Sequence, residues 1–227
     1  MTGTTLDNHQ TVVIAMLSRD TTKNETVVSL MELVSAFTRK GFQMIPFVID
    51  TCFIDQGRNV CFTFAKEKGA DYLLFVDSDI NLKTKAETVL DNMIGLDKDV
   101  VVGIYYTRLW PHMPTVYSLK DNNKLQPITN IPGKPFPVEI SGCGFMLISK
   151  KVLHAFIDDV VAKEGQPFDF IPKAGEPFRE DVSFCIRLKK LGFEIWADPT
   201  IELEHLTKTP ITAKDRVTSE EVKRTNV

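Results

Sequence analysis

The chain has 227 residues, with 27 lysines and arginines against 30 aspartates and glutamates, a net charge of −3 and 43 % hydrophobic residues. This is an ordinary composition for a soluble globular protein, long enough to bury roughly 70 % of its unfolded surface without disulfide or metal staples. It excludes collagen, coiled coil, disulfide scaffold and disordered tail; it lacks the basic stripe of a nucleic-acid binder, and no apolar run approaches the roughly 20 residues of a membrane span.

Met1 to Gln10 is polar, so no secretory signal is expected there. Thr11 to Leu17 (TVVIAML) is a short apolar run and predicts a buried strand. Val27, Leu30, Met31, Val34 and Phe37 recur at helical spacing, with Gly41 as a stop. Gln43 to Asp50 predicts a second strand, and Val60, Cys61, Phe64 and Ala65 predict a helix ending at Gly69. Tyr72 to Val76 predicts a third strand, Thr84 to Ile94 a helix and Val100 to Tyr105 a fourth strand. Strands alternating with helices argue for an α/β fold with a mostly parallel sheet covered on both faces.

The second half reads differently. Six prolines between Trp110 and Pro137 exclude a helix there, and Thr115 to Leu119 predicts a short strand inside that segment. Val138 to Ser149 predicts a strand interrupted by Gly142 and Gly144, followed by a helix from Lys150 to about Val161. Gly165 to Phe178 is a proline- and glycine-rich loop. A helix from Arg179 to Leu191 ends at Gly192, and strands near Glu194–Ala197 and Ile201–His205 follow. Thr207 to Val227 is polar and predicts a loosely held tail behind one domain spanning 1–206. Cys52, Cys61, Cys143 and Cys185 form no C-x-x-C pair, so free thiols and an intracellular, cytoplasmic setting are expected.

Four features could carry chemistry. The first is Phe75-Val76-Asp77-Ser78-Asp79, an apolar strand running into Asp-x-Asp. In an extended backbone, residues i and i+2 face the same side, so both carboxylates would converge at a strand's carboxyl end, where open α/β sheets bind ligands. Paired hard oxygens suit Mg²⁺ or Mn²⁺; a strand end capping its turn uses the same residues. The second is Arg179-Glu180-Asp181 at the start of a helix. Acidic residues there are favoured by the helix dipole alone; a carboxylate near its normal pKa could also serve as a general base toward a hydroxyl. The third is His205 at a strand end, a metal ligand or a structural imidazole. The fourth is Arg58 in Gln56-Gly57-Arg58-Asn59, either solvated or facing a diphosphate.

The pieces taken together resemble a GT-A-type glycosyltransferase, in the compact family-two-like form of phages and bacteria. The resemblance runs from about Thr11 to His205. It rests on the order of Ser18-Arg19, Gly57-Arg58-Asn59, Ala70 to Asp79, Gly103-Ile104-Tyr105-Tyr106, Ser141 to Met146, Glu180 to Cys185, and Gly192-Phe193 leading to Asp198-Pro199 and His205. It implies a GT-A fold, with a mostly parallel central sheet flanked by helices and a small second sheet near the acceptor side. It implies transfer of a sugar from a UDP-, GDP- or dTDP-sugar to a hydroxyl acceptor such as a glycan, with Mn²⁺ or Mg²⁺ as cofactor. By the same resemblance Asp79 binds the metal, Asp77 lies by the metal or ribose, and His205 completes the metal site. Arg58, Ser18 and Gly142 belong to the nucleotide-sugar pocket, and Asp181 is the base. The segment Asp50 to Asp55 departs from the family's acidic, glycine-rich stretch. Trp110, His112 and Tyr117 are candidates for acceptor contacts, the alternative being a packed surface loop. A haloacid-dehalogenase-type phosphatase would also use Asp-x-Asp after a strand, though usually at the start of the chain, and a non-catalytic nucleotide-sugar-binding protein would keep the same residues.

Overall fold

A computed structural model describes residues 10–19, 21–120, 124–172 and 178–207. The expected tail therefore lies outside the described residues from 208 onward, as do His9 and most of the polar leader. The elements in chain order are β1 (Thr11–Ser18), α1 (Asn24–Arg39), β2 (Gln43–Asp50), α2 (Ile54–Glu67), β3 (Tyr72–Val76), β4 (Ile80–Leu82), α3 (Ala86–Gly95) and β5 (Val100–Ile104). Then come β6 (Val116–Leu119), β7 (Leu125–Pro127), β8 (Phe136–Val138), β9 (Ile140–Ser141) and β10 (Phe145–Ser149). The last are α4 (Lys150–Ala155), α5 (Asp158–Glu164), α6 (Glu180–Lys190) and β11 (Ile195–His205).

An eight-stranded sheet has the order β2-β1-β3-β10-β5-β11-β4, with β8 paired to β11; β7-β6-β9 form a small second sheet. Strands β1, β2 and β3 are mutually parallel, and β5 is parallel to β11. Strand β10 runs antiparallel between β3 and β5. It enters from the small sheet through 142–144, at the carboxyl end of β3, and so can only run back along its neighbours.

Both faces of the sheet are covered, which explains the unbroken apolar strands. Val13, Ala15, Leu73, Phe75, Val100 and Val102 face a core with Cys61, Phe62, Phe168 and Phe184. Val12, Ile14, Leu74, Val76, Val101 and Leu147 face the other core, with Leu33, Phe37, Val89 and Met93. The alternation of neighbours between the two cores is the two-residue period of a strand.

Three expectations change. Helix α1 buries Thr26, Ser29, Leu33, Ala36 and Phe37, whereas Met31, from the expected stripe, is 67 % exposed. The hydroxyl of Ser29 accepts the Leu82 N–H at 2.9 Å and donates to Asn81 at 2.8 Å, which turns that polar face inward. The helix expected after Ser149 is broken into α4 and α5. Phe156 plugs the core, and its carbonyl accepts from Lys66 Nζ at 2.9 Å. The two last strands are one strand, β11, with an irregularity between Asp198 and Glu202. All four cysteines are free; Cys61, Cys143 and Cys185 are buried and Cys52 is exposed. Among the described residues no helix is long and apolar enough to cross a membrane.

Candidate active site

Strand β3 stops at Val76, and Asp77-Ser78-Asp79 form a turn into β4, closed by the Ile80 N–H on the Asp77 carbonyl at 3.1 Å. The expected extended Asp-x-Asp is therefore a turn, and its two carboxylates have separate partners. The turn is held at each residue. Asp77 N–H donates to the Gly144 carbonyl at 2.8 Å, Ser78 C=O accepts from Lys23 at 3.1 Å, and Asp79 C=O accepts from Leu206 at 2.7 Å. Strand β4, which the sequence reading missed, pairs antiparallel with the end of β11 and sets His205 opposite Ile80. That pairing brings His205 to Asp79.

The Asp77 carboxylate meets Arg58, whose Nη2 donates to Asp77 Oδ1 at 3.0 Å. Arg58 was expected in a phosphate pocket. It is 2 % exposed, on the buried face of α2 with Gly57, Cys61, Phe62 and Ala65. Its Nη1 reaches the Cys143 carbonyl at 3.4 Å, and its guanidinium lies 5.1 Å from the Phe75 ring centre. Nε has no hydrogen-bond partner and stands 3.8 Å from Glu180 Oε1. Burial works against its charge, but Asp77, Cys143 and Glu180 outweigh burial and hold the guanidinium protonated.

Glu180 and Asp181 open α6, where the helix dipole favours negative charge. Both are nevertheless pushed above the ordinary carboxylate range. For Glu180, burial and then Asp181 raise it, with Arg58 opposing. For Asp181, burial raises it, and the Val182 N–H and Arg58 oppose. The expectation of a base at its normal pKa is thus corrected upward. Tyr105, just past β5, is buried and accepts the Gly144 N–H at 3.0 Å on its hydroxyl. Burial, with Asp77 and Asp181 nearby, keeps this phenol neutral. A Cβ on Gly144 would fall 2.8 Å from the Tyr105 hydroxyl and 2.9 Å from Asp77 Oδ2, and one on Gly142 would overlap the same hydroxyl. These two glycines let the chain pass between the carboxylates and Tyr105.

The second half of the site is Asp79, His205 and Arg108. His205 Nδ1 lies 2.7 Å from the Tyr106 carbonyl, so this nitrogen carries the proton. Nε2 then has a free lone pair, which accepts Arg108 Nε at 2.8 Å and stands 3.7 Å from Asp79 Oδ2. Burial, and then Arg108, lower the imidazole's proton affinity against the pull of the Tyr106 carbonyl. Arg108 also forms an ion pair with Asp79. A cleft of 490 Å³ opens beside them, lined by Arg19, Lys23, Ser78, Asp79 and Arg108 among others. Ser18 sits at the same end of the sheet, where its Oγ accepts from Thr22 at 3.2 Å and its carbonyl accepts the Thr51 N–H at 3.0 Å.

Among the described residues no group of three or more His, Cys, Asp or Glu is arranged to hold a metal. Asp79 and His205 offer a hard carboxylate and an imidazole whose far nitrogen is anchored on a carbonyl, as ligating histidines usually are. That pair could supply two protein ligands to a Mn²⁺ or Mg²⁺ ion. Asp77, expected by the metal or the ribose, pairs with Arg58 through Oδ1.

Arg108, Tyr105 and Glu180 were not assigned roles from the sequence. Tyr105 follows the end of β5 directly and Arg108 lies in the loop just beyond it, and that position at the carboxyl edge of a sheet was the available signal. Of the expected acceptor residues, Trp110 is exposed and lies edge-on to His112 at 5.7 Å between ring centres. Tyr117 is partly buried in β6, its phenol pushed up to about 12 by burial and Asp181.

No known protein family and no curated protein matches the sequence. Solved structures do. A197 from STIV is 16 % identical, with a TM-score of 0.55 over 92 % of this chain and 97 % of that one. A Drosophila β1,4-galactosyltransferase 7 mutant complexed with manganese, UDP-Gal and xylobiose is 14 % identical, with a TM-score of 0.49 over 95 % of this chain and 79 % of that one. At these identities the likeness is one of fold: a mixed α/β chain built on a large, mostly parallel sheet with a small second sheet.

Proposed function

We propose that this chain is a metal-dependent glycosyltransferase that moves a sugar from a nucleoside-diphosphate sugar to a hydroxyl acceptor. The observation that carries the reading is the convergence, at the carboxyl end of the sheet, of an Asp79–His205 pair, a basic cleft and a raised-pKa carboxylate at Asp181.

Arg19, Lys23 and Arg108 form the wall of the cleft and would meet the diphosphate. Asp79 and His205 would hold a Mn²⁺ or Mg²⁺ ion, which supplies charge neutralisation on the leaving diphosphate. Ser18 and the Gly142 backbone stand at the donor side. Asp181 takes the proton of the acceptor hydroxyl on its carboxylate as that hydroxyl attacks the anomeric carbon; a pKa above 3.8 makes it a better proton acceptor than a surface aspartate. Arg58, engaged beneath Asp77 and beside Glu180, is a positioning residue rather than a phosphate ligand. The small sheet, joined to the site through 142–144, borders the acceptor side.

Calorimetric titration of UDP, GDP, dTDP and CDP, each with and without Mn²⁺, tests this reading. One nucleotide is expected to bind in the micromolar range with Mn²⁺ and much more weakly without it, and Asp79→Ala should remove that metal dependence. Failure of all four nucleotides to bind would overturn the proposal.

A further inference from the structure

We infer that Arg108 is a resident counter-ion that covers the two metal-binding atoms of Asp79 and His205, and that a substrate phosphate draws it away. The inference rests on the reading of the cleft as a nucleoside-diphosphate site.

Arg108 occupies the position an incoming cation needs. Its guanidinium pairs with the Asp79 carboxylate and donates through Nε to the lone pair of His205 Nε2 at 2.8 Å. That lone pair exists because Nδ1 is committed to the Tyr106 carbonyl at 2.7 Å. A metal ion would use the same carboxylate and the same lone pair. Metal and Arg108 therefore compete for both atoms.

The loop carrying Arg108 is tied at its base. Thr107 N–H donates to the Met113 carbonyl at 2.9 Å, and Met113 N–H donates to Thr107 Oγ1 at 3.0 Å. The backbone is held while the side chain is 54 % exposed, so the guanidinium can leave by rotation of its own bonds. An exposed ion pair of this kind is weak. The planar fork of a guanidinium matches two phosphate oxygens better than it matches one carboxylate oxygen and an imidazole nitrogen. The cleft that would receive the phosphate also holds Arg19 and Lys23. When a phosphate enters, Arg108 gains the better partner and Asp79 and His205 are uncovered together. The two events are then linked, and by linkage each ligand strengthens the other.

The test uses the full chain, with Arg108→Ala and Arg108→Lys beside it. Mn²⁺ alone is titrated and followed by electron paramagnetic resonance of the free ion. Inorganic pyrophosphate is titrated calorimetrically in EDTA. Relative to the parent chain, Arg108→Ala should bind Mn²⁺ about tenfold more tightly and pyrophosphate about tenfold more weakly, within the usual range of a coupling between sites. Arg108→Lys, which keeps the charge and loses the fork, should fall between. If parent and Arg108→Ala bind Mn²⁺ equally, or the variant binds it less well, the inference fails while the transferase reading stands. If none of the three chains binds either probe, the inference fails, and the nucleotide titrations with Mn²⁺ decide the transferase reading separately. The side chain is exposed, so all three chains should melt at similar temperatures.

Discussion

Arg58 joins the two halves of the carboxylate cluster, with Asp77 on one side and Glu180 on the other. It does so from inside the protein, at 2 % exposure. A buried guanidinium left without its anions would be strongly unfavourable, so these ion pairs constrain where β3 ends and α6 begins relative to one another. Asp181 shows the cost of assembling such a cluster. Its pKa lies above the ordinary 3.8 because burial disfavours its charge. A carboxyl with a raised folded-state pKa lends stability below its unfolded value and loses it as pH rises through the folded value. Asp181→Asn should therefore melt at or above the parent temperature at pH 7, the difference vanishing below about pH 3.8 as both states become protonated. The same substitution should lower transfer by about 10²–10⁴-fold while leaving nucleotide binding intact. In the parent, transfer should rise with pH along an acidic limb whose midpoint lies above 3.8. Retained transfer in Asp181→Asn would remove it as the base. The residue types of this cluster were legible in the sequence. The burial of Arg58 was less so, although its spacing from Cys61 and Ala65 put it on one helical face with them.

Turns at the carboxyl edge of the sheet, rather than strands, hold the site together. The β3–β4 turn carries Asp77 and Asp79 to different partners, and Gly144 lies against both Asp77 and Tyr105 where the chain enters β10. The close approach at Gly144 leaves no space for a side chain. Gly144→Ala should cost about 1–3 kcal/mol through overpacking against Tyr105 and Asp77. Adding Tyr105→Phe removes the hydroxyl that the new methyl group meets, so the double variant should lose less stability than the two single losses added together. Chemical denaturation of the four chains measures this; strict additivity would mean that the contact does not decide the outcome. Sequence patterning located β3 well because it is an unbroken apolar run, whereas the single strand expected over Val138–Ser149 is divided into the end of β8, β9 in the small sheet and β10 beyond 142–144. It missed β4 because three residues, Ile80–Leu82, are too few to show a period. It split β11 because Pro199 interrupts an apolar pattern that the backbone carries through an irregularity.

At the scale of the molecule, two cores on opposite faces of one sheet make the fold tolerant on its surface and sensitive at its centre. Leu147, in the inserted strand β10, belongs to the core beneath α1 and α3. Leu147→Ala should cost about 2–5 kcal/mol. Met31→Ala, on the exposed face of α1, should fall within about 0.5 kcal/mol of the parent. Urea denaturation midpoints compare the two, and equal losses would contradict the assignment of the α1 faces. The sequence by itself determined the α/β class, most of the long strands and helices, the free cysteines and the chemical types gathered at the site. These follow from local periodicity, glycine and proline placement, and composition, all written along neighbouring residues. The tertiary structure alone decided the antiparallel entry of β10, the rotation of α1 about its axis, the burial of Arg58, the separation of Asp77 from Asp79, and the placing of Arg108 against Asp79 and His205. Each depends on pairing between residues far apart in the chain, where burial, charge and backbone hydrogen bonding must be satisfied at once, and no local pattern records that balance.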